Sequence, residues 1–299
     1  MDLKLNRKAI DLLNKCTGMA DVEVMEYYLD GKTATIIDLG VSTEVNKETA
    51  KKAAVYAAEA SLGGLGKVEK KGMNITVDIP NHPAIATLGC QLAGWAIDMD
   101  GKHKLGSGPA RILARKPGKI IDKIGYAESS DEAALVLETD ILPNKETCRR
   151  ILEETHAQKL TVAAFRDSSY VGLVNVLARI VEVGIFRASN LGYDTKNIVS
   201  ASGTVPMPAL GPDTMYTSND AIIYRGIVRI ETTQWNSDLT EKAVSKSSPS
   251  YGKTFKDIYN EAGGNFYKID PAIFAPAVLE VKDLVNGEKY SAGKVLIPV

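Results

Sequence analysis

The sequence predicts a mixed α/β fold built of α+β layers. Its 299 residues are enough for two ordinary domains, and 44% hydrophobic and 24% charged residues are typical of a globular protein. Between residues 131 and 202, strand-like and helix-like segments alternate along the chain. Alternation of this kind is typical of helices and strands packed in layers around a common core.

The N-terminal part of the chain has clear turn and cap signals. Asp30-Gly31 is a tight-turn pair between two strand-like segments, and Gly63-Gly64 suits the end of an alanine-rich helix. The predicted elements are a helix over 5–16, a hairpin over 22–41, a helix over 47–62, a strand over 74–80 and a helix that starts near Pro83.

The remaining chain alternates more regularly, and Asn286-Gly287 marks a second hairpin over 277–297. The other predicted elements are strands over 131–140, 159–165 and 197–202, a helix over 144–157 and one continuous helix over 169–191. No Pro/Ser-rich linker marks a boundary. We therefore divide the chain into an N-terminal α/β domain, 1–165, and a C-terminal α/β domain, 166–299, whose segments can interleave.

Three segments are rich in glycine or proline without resembling simple turns: 105–111, 202–220 and 265–277. Long loops without secondary structure are uncommon in compact domains unless they are functional or disordered. The 202–220 segment has few charges and several apolar residues, which favours an ordered functional loop.

Composition excludes several classes of function. A net charge of −1 gives no electrostatic reason for a nucleic-acid or membrane partner. No apolar run approaches the roughly 20 residues that span a bilayer, and the N-terminus lacks the apolar core of a signal peptide, so we expect a cytoplasmic protein. No spacing suggests a disulfide framework or a metal site among Cys16, Cys90, Cys148, His82, His103 and His156.

The predicted helix over 169–191 carries the most informative side chains. Its middle is almost entirely apolar, which is typical of a buried helix. Asn175, Arg179 and Glu182 interrupt it at i, i+4 and i+7, so they lie on one stripe.

A buried Arg–Glu pair contributes little to stability, because desolvation can cancel the attraction between the charges. Two interpretations are equally open. The pair is a structural ion pair with Asn175 as its hydrogen-bond partner, or Glu182 is a general base toward a water molecule. In the second interpretation Arg179 stays protonated, orients Glu182 and stabilises an oxygen that develops negative charge.

The segment GSGPAR resembles a phosphate-cradling loop but lacks the full Walker A pattern. Backbone amides near Ser107 and Gly108, together with Arg111, suit an anionic substrate tail. A simple glycine turn before a helix is an equally good interpretation.

Four segments in this order resemble the methenyltetrahydromethanopterin cyclohydrolase family: LGSGPARILARKP, LVNVLARIVEVGIF, SNDAIIYRG and NFYKIDPAIFAPA. The resemblance runs nearly from end to end, and the combination is far more specific than one short motif. One departure is Arg225, which stands where the family usually has a small residue.

The resemblance implies an activity and a site. The activity is interconversion of the methenyl-tetrahydromethanopterin cation and its N-formyl form, by addition of water and ring opening, in methanogenesis or the oxidation of formaldehyde or methyl groups. It places Glu182 as the general base on the attacking water and Arg179 beside it. The substrate-binding candidates are Gly89, Cys90, Gln91, Ser107, Gly108, Arg111, Thr204, Asn219 and Asp220.

The resemblance also implies a homotrimer in which the pterin lies in a pocket between two facing domains of one subunit. It implies no metal and no prosthetic group, with tetrahydromethanopterin or a close relative as the one-carbon carrier. Two alternatives stay open. One is a cytoplasmic transferase or isomerase of a phosphorylated small molecule, and the other is a non-catalytic pterin-binding protein.

Overall fold

The computed structural model describes residues 1–296. It contains helices and two mixed sheets, so the predicted mixed α/β class is confirmed. The chain forms two compact units with interleaved segments. The first unit comprises Met1–Lys67 and Ile85–Asn175, and the second comprises Val68–Ala84 and the chain from Val176 onward.

The strands within the described residues, in chain order, are β1 (Glu23–Leu29), β2 (Lys32–Asp38), β3 (Lys67–Lys71), β4 (Asn74–Ile79), β5 (Trp95–Met99), β6 (Lys102–Ser107), β7 (Glu132–Glu138), β8 (Lys159–Phe165), β9 (Ile198–Pro206), β10 (Ile227–Thr232), β11 (Val278–Asp283) and β12 (Lys289–Gly293). One sheet has the order β1-β2-β8-β7-β6-β5, with β2, β8 and β7 parallel. The other has the order β12-β11-β10-β9-β4-β3, with β10 and β11 parallel.

The helices are α1 (Leu5–Leu13), α2 (Lys47–Ser61), α3 (Ala110–Ala114), α4 (Gly118–Ile124), α5 (Lys145–Thr155), α6 (Tyr170–Leu177), α7 (Ile180–Asn190), α8 (Thr214–Arg225) and α9 (Phe255–Glu261). A π-helix spans Ile85–Gln91. Short 3₁₀ turns account for much of the chain between α9 and β11 and between β10 and α9.

Each unit has its own hydrophobic core. In the first, alternate residues of β7 pack with α3 and α5, because successive strand residues point to opposite faces of the sheet. In the second, α8 and α9 enclose a cluster that includes Phe255 and Ile273, and several aromatic rings pack around it.

Local sequence explains helix α2 and the two predicted hairpins. The side chain of Asn46 accepts from the amides of Glu48 and Thr49 and so caps α2, which ends before Gly63 in the left-handed region at φ +64°. Leu29 pairs with Lys32 across the Asp30-Gly31 turn, as expected for the first hairpin. The second hairpin is also confirmed in β11 and β12, although its predicted end at Ile297 lies outside the described residues.

The prediction of one continuous helix over 169–191 is wrong. The chain forms α6 and then α7, separated at Ala178 and Arg179. The Arg179 amide donates to the Val176 carbonyl at 3.0 Å, a contact three residues back that tightens the turn between the two helices. The stripe predicted for one helix is therefore divided between two.

The prediction of a long loop over 202–220 is also wrong. β9 continues to Pro206 and α8 begins at Thr214, so the connection is only 207–213. β9 pairs with β4 on one side and β10 on the other. This pairing overrides the glycine- and proline-rich composition, because strand formation depends strongly on neighbouring strands.

Candidate active site

The pair singled out in the sequence lies at the start of α7. Arg179 occupies the N-cap position of this helix without a capping hydrogen bond from its side chain, and Glu182 lies in the first turn. Arg179 Nη1 is 3.4 Å from Glu182 Oε2. The structure therefore brings these two side chains together, as their spacing predicted.

The pair is buried unequally. The side chain of Glu182 is 5% exposed, whereas that of Arg179 is 15% exposed. The distance between them exceeds the 2.7–2.9 Å or so that is typical of strong charge-assisted hydrogen bonds. A helix N-terminus also stabilises a carboxylate in its first turn, because the helix dipole is positive there. Arg179 therefore lies close enough to stabilise the charge of the Glu182 carboxylate, but it does not form a short, strong hydrogen bond with it.

Two glycines, Gly203 on β9 and Gly226 between α8 and β10, let the start of α7 approach closely. A Cβ added at Gly203 on β9 would lie 2.7 Å from Ile180 Cγ2 and 3.0 Å from Val181 Cγ2. A Cβ added at Gly226 would lie 2.4 Å from Ile180 Cδ1. The first turn of α7, which carries Glu182, thus packs so close to both glycines that a larger residue at either position would displace Ile180.

Asn175 does not share this helix. It lies on α6, before the break, and it is the last residue of the first unit. Its side chain is buried at 2% exposure. The role of Asn175 as a supporting residue for the pair therefore stays a prediction.

A second constellation lies within the first unit, at the end of the π-helix. Gly89, Cys90 and Gln91 are its last residues, and all three are buried. The Gly108 amide donates to the Cys90 carbonyl at 2.8 Å, across 18 residues of chain. The structure thus joins the 89–91 segment to the GSGPAR segment, although the sequence shows no reason for that contact.

Arg111 is the centre of this constellation. It is 0% exposed, and its Nη1 donates to the carbonyls of Leu88, Gly89 and Cys90 at 3.0, 3.0 and 3.2 Å. The prediction assigned Arg111 to an anionic substrate tail. In the structure its guanidinium lies on backbone carbonyls instead.

Ser107 and Gly108 form the turn between β6 and α3. Ser107 is buried, and its hydroxyl donates to the Val136 carbonyl at 3.3 Å. Gly108 has φ +107°, and a Cβ there would lie 2.9 Å from the Ala134 carbonyl oxygen. The glycine is therefore required both by its backbone conformation and by its close approach to β7.

Of the remaining candidates for substrate binding, Asn219 and Asp220 lie on α8 of the second unit. Asn219 Nδ2 donates to the Met215 carbonyl at 2.8 Å. Asp220 Oδ1 accepts from the Phe255 amide at 2.7 Å, at the start of α9. Burial raises the pKa of Asp220, and the Phe255 amide partly opposes this effect. Both side chains are engaged with nearby backbone.

Thr204 lies on β9 and lines an open cavity of about 290 Å³ within the second unit. The other lining residues are Asn74, Pro206, Arg225, Ile227, Val295 and Leu296. The cavity brings Thr204 together with Arg225, the position that departs from the family pattern.

The cysteines are free and buried. Burial raises the pKa of Cys16 and of Cys148 to about 12 and raises that of Cys90 further. Thiols of this kind are poor nucleophiles, because the thiolate is the reactive form. Within residues 1–296, no group of three or more His, Cys, Asp or Glu side chains is arranged to hold a metal ion.

Two glycines that position the site were missed in the sequence. Gly203 lies under the first turn of α7, and a Cβ at Gly94 would lie 2.8 Å from Arg111 Nη2. The signal for Gly203 was present, since a glycine inside a strand often marks a close approach of another element.

Among residues 1–296, no helix is long and apolar enough to cross a membrane.

Comparison with known proteins agrees with the resemblance. A model of the cyclohydrolase (MCH) family matches residues 4–299. A protein of Methanoregula boonei is 36% identical, covering 98% of this chain and 96% of its own length, and one of Methanocella arvoryzae is 36% identical, covering 98% and 95%. A third, from Methanocaldococcus jannaschii, is 34% identical over 98% of this chain and 95% of its own length. All three are named methenyltetrahydromethanopterin cyclohydrolase. The family resemblance is thereby confirmed, and the chain belongs to the cyclohydrolase (MCH) family.

Proposed function

We propose that this protein interconverts the methenyl-tetrahydromethanopterin cation and water with N-formyl-tetrahydromethanopterin. Membership of the family supports this, as do the names of relatives that match almost the whole chain. The observation that carries the mechanism is the placement of Glu182 in the first turn of α7 with Arg179 3.4 Å away.

In the hydrolytic direction, Glu182 takes a proton from a water molecule while the water oxygen bonds to the methenyl carbon. The substrate carbon is already electrophilic because the amidine-like group is cationic. As one ring C–N bond of the adduct then breaks, its electron pair takes up the proton of the adduct's hydroxyl group, and the oxygen becomes the carbonyl of a formyl group on the other nitrogen. The proton taken up by Glu182 is released to solvent. Overall, the cation and one water give the formyl compound and one proton.

Arg179 has a different role in this proposal. A guanidinium stays protonated, so it cannot be the base. It orients the Glu182 carboxylate and limits the build-up of negative charge beside the cationic substrate. Its greater exposure supports contact with the oxygen that develops negative charge during addition.

We assign substrate binding to the buried segment Gly89–Gln91, to the Ser107-Gly108 turn, and to Thr204, Asn219 and Asp220. The junction of the π-helix with Gly108 supports the first two as one binding element. The cavity beside Thr204 supports a contact with an extended part of the ligand. The family resemblance alone supports a cytoplasmic homotrimer acting in methanogenesis or formaldehyde oxidation without a prosthetic group.

The test is a spectrophotometric assay of the purified protein with methenyl-tetrahydromethanopterin. The methenyl compound loses its near-ultraviolet band on hydrolysis, so we expect that band to disappear with turnover. A transferase or isomerase of phosphorylated compounds would leave the band unchanged. A non-catalytic binding protein would retain the pterin stoichiometrically without consuming it, and either result would contradict the proposal.

A further inference from the structure

The π-helix ends on carbonyls that its own amides cannot satisfy. The Leu92 amide donates to the Thr87 carbonyl at 2.8 Å, the five-residue step of a π-helix. The carbonyls that follow, from Leu88 to Cys90, lie beyond this last bond. Carbonyls at a helix C-terminus need other donors, since buried and unpaired carbonyls cost free energy.

Arg111 supplies those donors from 21 to 23 residues away. Its Nη1 lies 3.0–3.2 Å from all three carbonyl oxygens, and the Gly108 amide adds a second bond to Cys90. Nη1 carries two hydrogens, so at least one of them is shared between carbonyls. The positive charge also complements the negative end of the helix dipole.

Burying a guanidinium completely is expensive, and an apolar residue of similar size would often be as stable. Gly94 packs closely against the Arg111 guanidinium. A Cβ at Gly94 would lie 2.8 Å from Arg111 Nη2 and 2.7 Å from Pro117 Cδ. The guanidinium therefore lies between the carbonyls at the end of the π-helix and Gly94, where a larger residue would clash with it.

We propose that Arg111 is a positioning residue that fixes the Gly89–Gln91 segment for substrate binding, without itself touching the substrate. The π-helix supports this, because π segments are rare and occur frequently at functional sites. The inference rests on the proposed function, in which Gly89–Gln91 binds the pterin. It changes the role of Arg111 from direct contact with an anionic tail to control of the backbone.

The test compares Arg111→Lys and Gly94→Ala with wild type in the spectrophotometric assay. Lysine keeps the charge but cannot reproduce the fork of donors, and the alanine methyl group displaces the guanidinium without removing it. We expect KM to rise about 10- to 100-fold in both variants, with kcat within about threefold of wild type. Amide hydrogen exchange at Leu92 and Gly108 should become faster in both.

Arg150→Lys is the matched control. Arg150 Nη2 also donates to a backbone carbonyl in the first unit, that of Asp98 at 2.6 Å, and its Nη1 pairs with the Asp98 carboxylate at 3.3 Å, but its side chain is 39% exposed and its bonds are to β5. We expect its KM and kcat to stay within about twofold of wild type. A merely structural role for Arg111 would reduce the folded fraction, and so lower kcat while KM stays unchanged.

The inference is overturned if KM stays within twofold of wild type in both Arg111→Lys and Gly94→Ala. Should Arg111→Lys fail to fold, Gly94→Ala decides alone, because it retains the guanidinium. Failure of the proposed function would look different: wild type itself would not hydrolyse the methenyl compound.

Discussion

Two arginines beside helix ends, one fully buried and one partly buried, are used differently in the two units. Arg111, in the first, is 0% exposed and bonds to three backbone carbonyls. Arg179, in the second, is 15% exposed and lies 3.4 Å from one carboxylate. A guanidinium on carbonyls fixes the course of the backbone, whereas one beside a carboxylate controls a charge. We therefore expect loss of Arg111 to affect substrate affinity and loss of the Arg179–Glu182 pair to affect the chemical step.

The largest expected effect is that of Glu182→Gln. The amide keeps the size of the side chain but cannot take a proton from water, so kcat should fall about 10²- to 10⁴-fold while KM changes little. Steady-state kinetics and a thermal melt measure this.

Glu59→Gln is the control for that substitution. Glu59 is also buried, and its Oε2 lies 3.4 Å from Lys67 Nζ, so its loss removes a comparable charge. Its kcat should stay within about twofold of wild type. If the two variants lose activity to the same extent, removal of a buried charge explains the loss. The assignment of Glu182 as the general base would then be contradicted.

Arg179→Met sharpens the comparison of the two arginines. It removes the group that orients the Glu182 carboxylate but leaves the base itself. We expect kcat to fall about 10- to 100-fold, less than for Glu182→Gln, with KM close to wild type. Steady-state kinetics beside Arg111→Lys measure the contrast. A rise in KM without a fall in kcat would place Arg179 with Arg111 as a binding element.

A smaller effect is expected from Gly203→Ala, which displaces the start of α7 rather than its charges. The added methyl group would lie 2.7 Å from Ile180 Cγ2, so Ile180, the first residue of α7, must shift. We expect kcat to fall about 10-fold, because small displacements of catalytic groups are costly, and the free energy of unfolding to fall by about 1–3 kcal/mol.

Gly211→Ala is the control, since a Cβ there meets nothing within 4 Å. It should leave both kcat and stability near wild type. Equal effects of the two substitutions would show that close packing of α7 on β9 does not position Glu182.

The smallest effect on activity is expected in the first unit, at the end of β2. Burial alone would raise the pKa of Asp38, but the Ser42 hydroxyl and the amides of Gly40, Val41 and Ser42 outweigh burial and lower this pKa. A carboxyl whose pKa is lowered on folding stabilises the fold above its unfolded pKa. That contribution disappears as the pH falls through the folded pKa.

Asp38→Asn should therefore lower the free energy of unfolding at pH 7 by about 1–3 kcal/mol, with kcat unchanged. The difference from wild type should shrink below about pH 4, where the unfolded carboxyl becomes protonated. Denaturant titrations across pH measure this. Asp11→Asn, at an exposed carboxyl, is the control. If the difference in free energy of unfolding between Asp38→Asn and wild type grew at low pH, the stabilising role of the Asp38 carboxylate would be contradicted.

Much of the fold could be predicted because its signals are local. Asp30-Gly31 and Asn286-Gly287 form turns between strands, and the helix after Asn46 has its cap and its terminal glycine within the sequence. The break at Arg179 could not be predicted, because neither glycine nor proline occurs there. The first part of β9 was predicted as the strand over 197–202, but its continuation to Pro206 was missed, because the stability of that part comes from partner strands on both sides rather than from its composition.

The site was predictable to a similar extent. Arg179 and Glu182 were identified because two charges in an apolar segment are conspicuous, and their short spacing made contact expected. The contacts of Arg111 with the π-helix join residues more than 20 positions apart, and no periodicity predicts them. The π-helix itself was expected only as an ordinary helix near Pro83.

The most direct test of the central claim is a single-turnover measurement with enzyme in excess over methenyl-tetrahydromethanopterin. It separates binding of the cation from attack by water, comparing wild type with Glu182→Gln. We expect the variant to bind the methenyl cation and then hydrolyse it about 10²- to 10⁴-fold more slowly than wild type. Hydrolysis by folded Glu182→Gln at a rate near that of wild type would contradict the role of Glu182 as the general base.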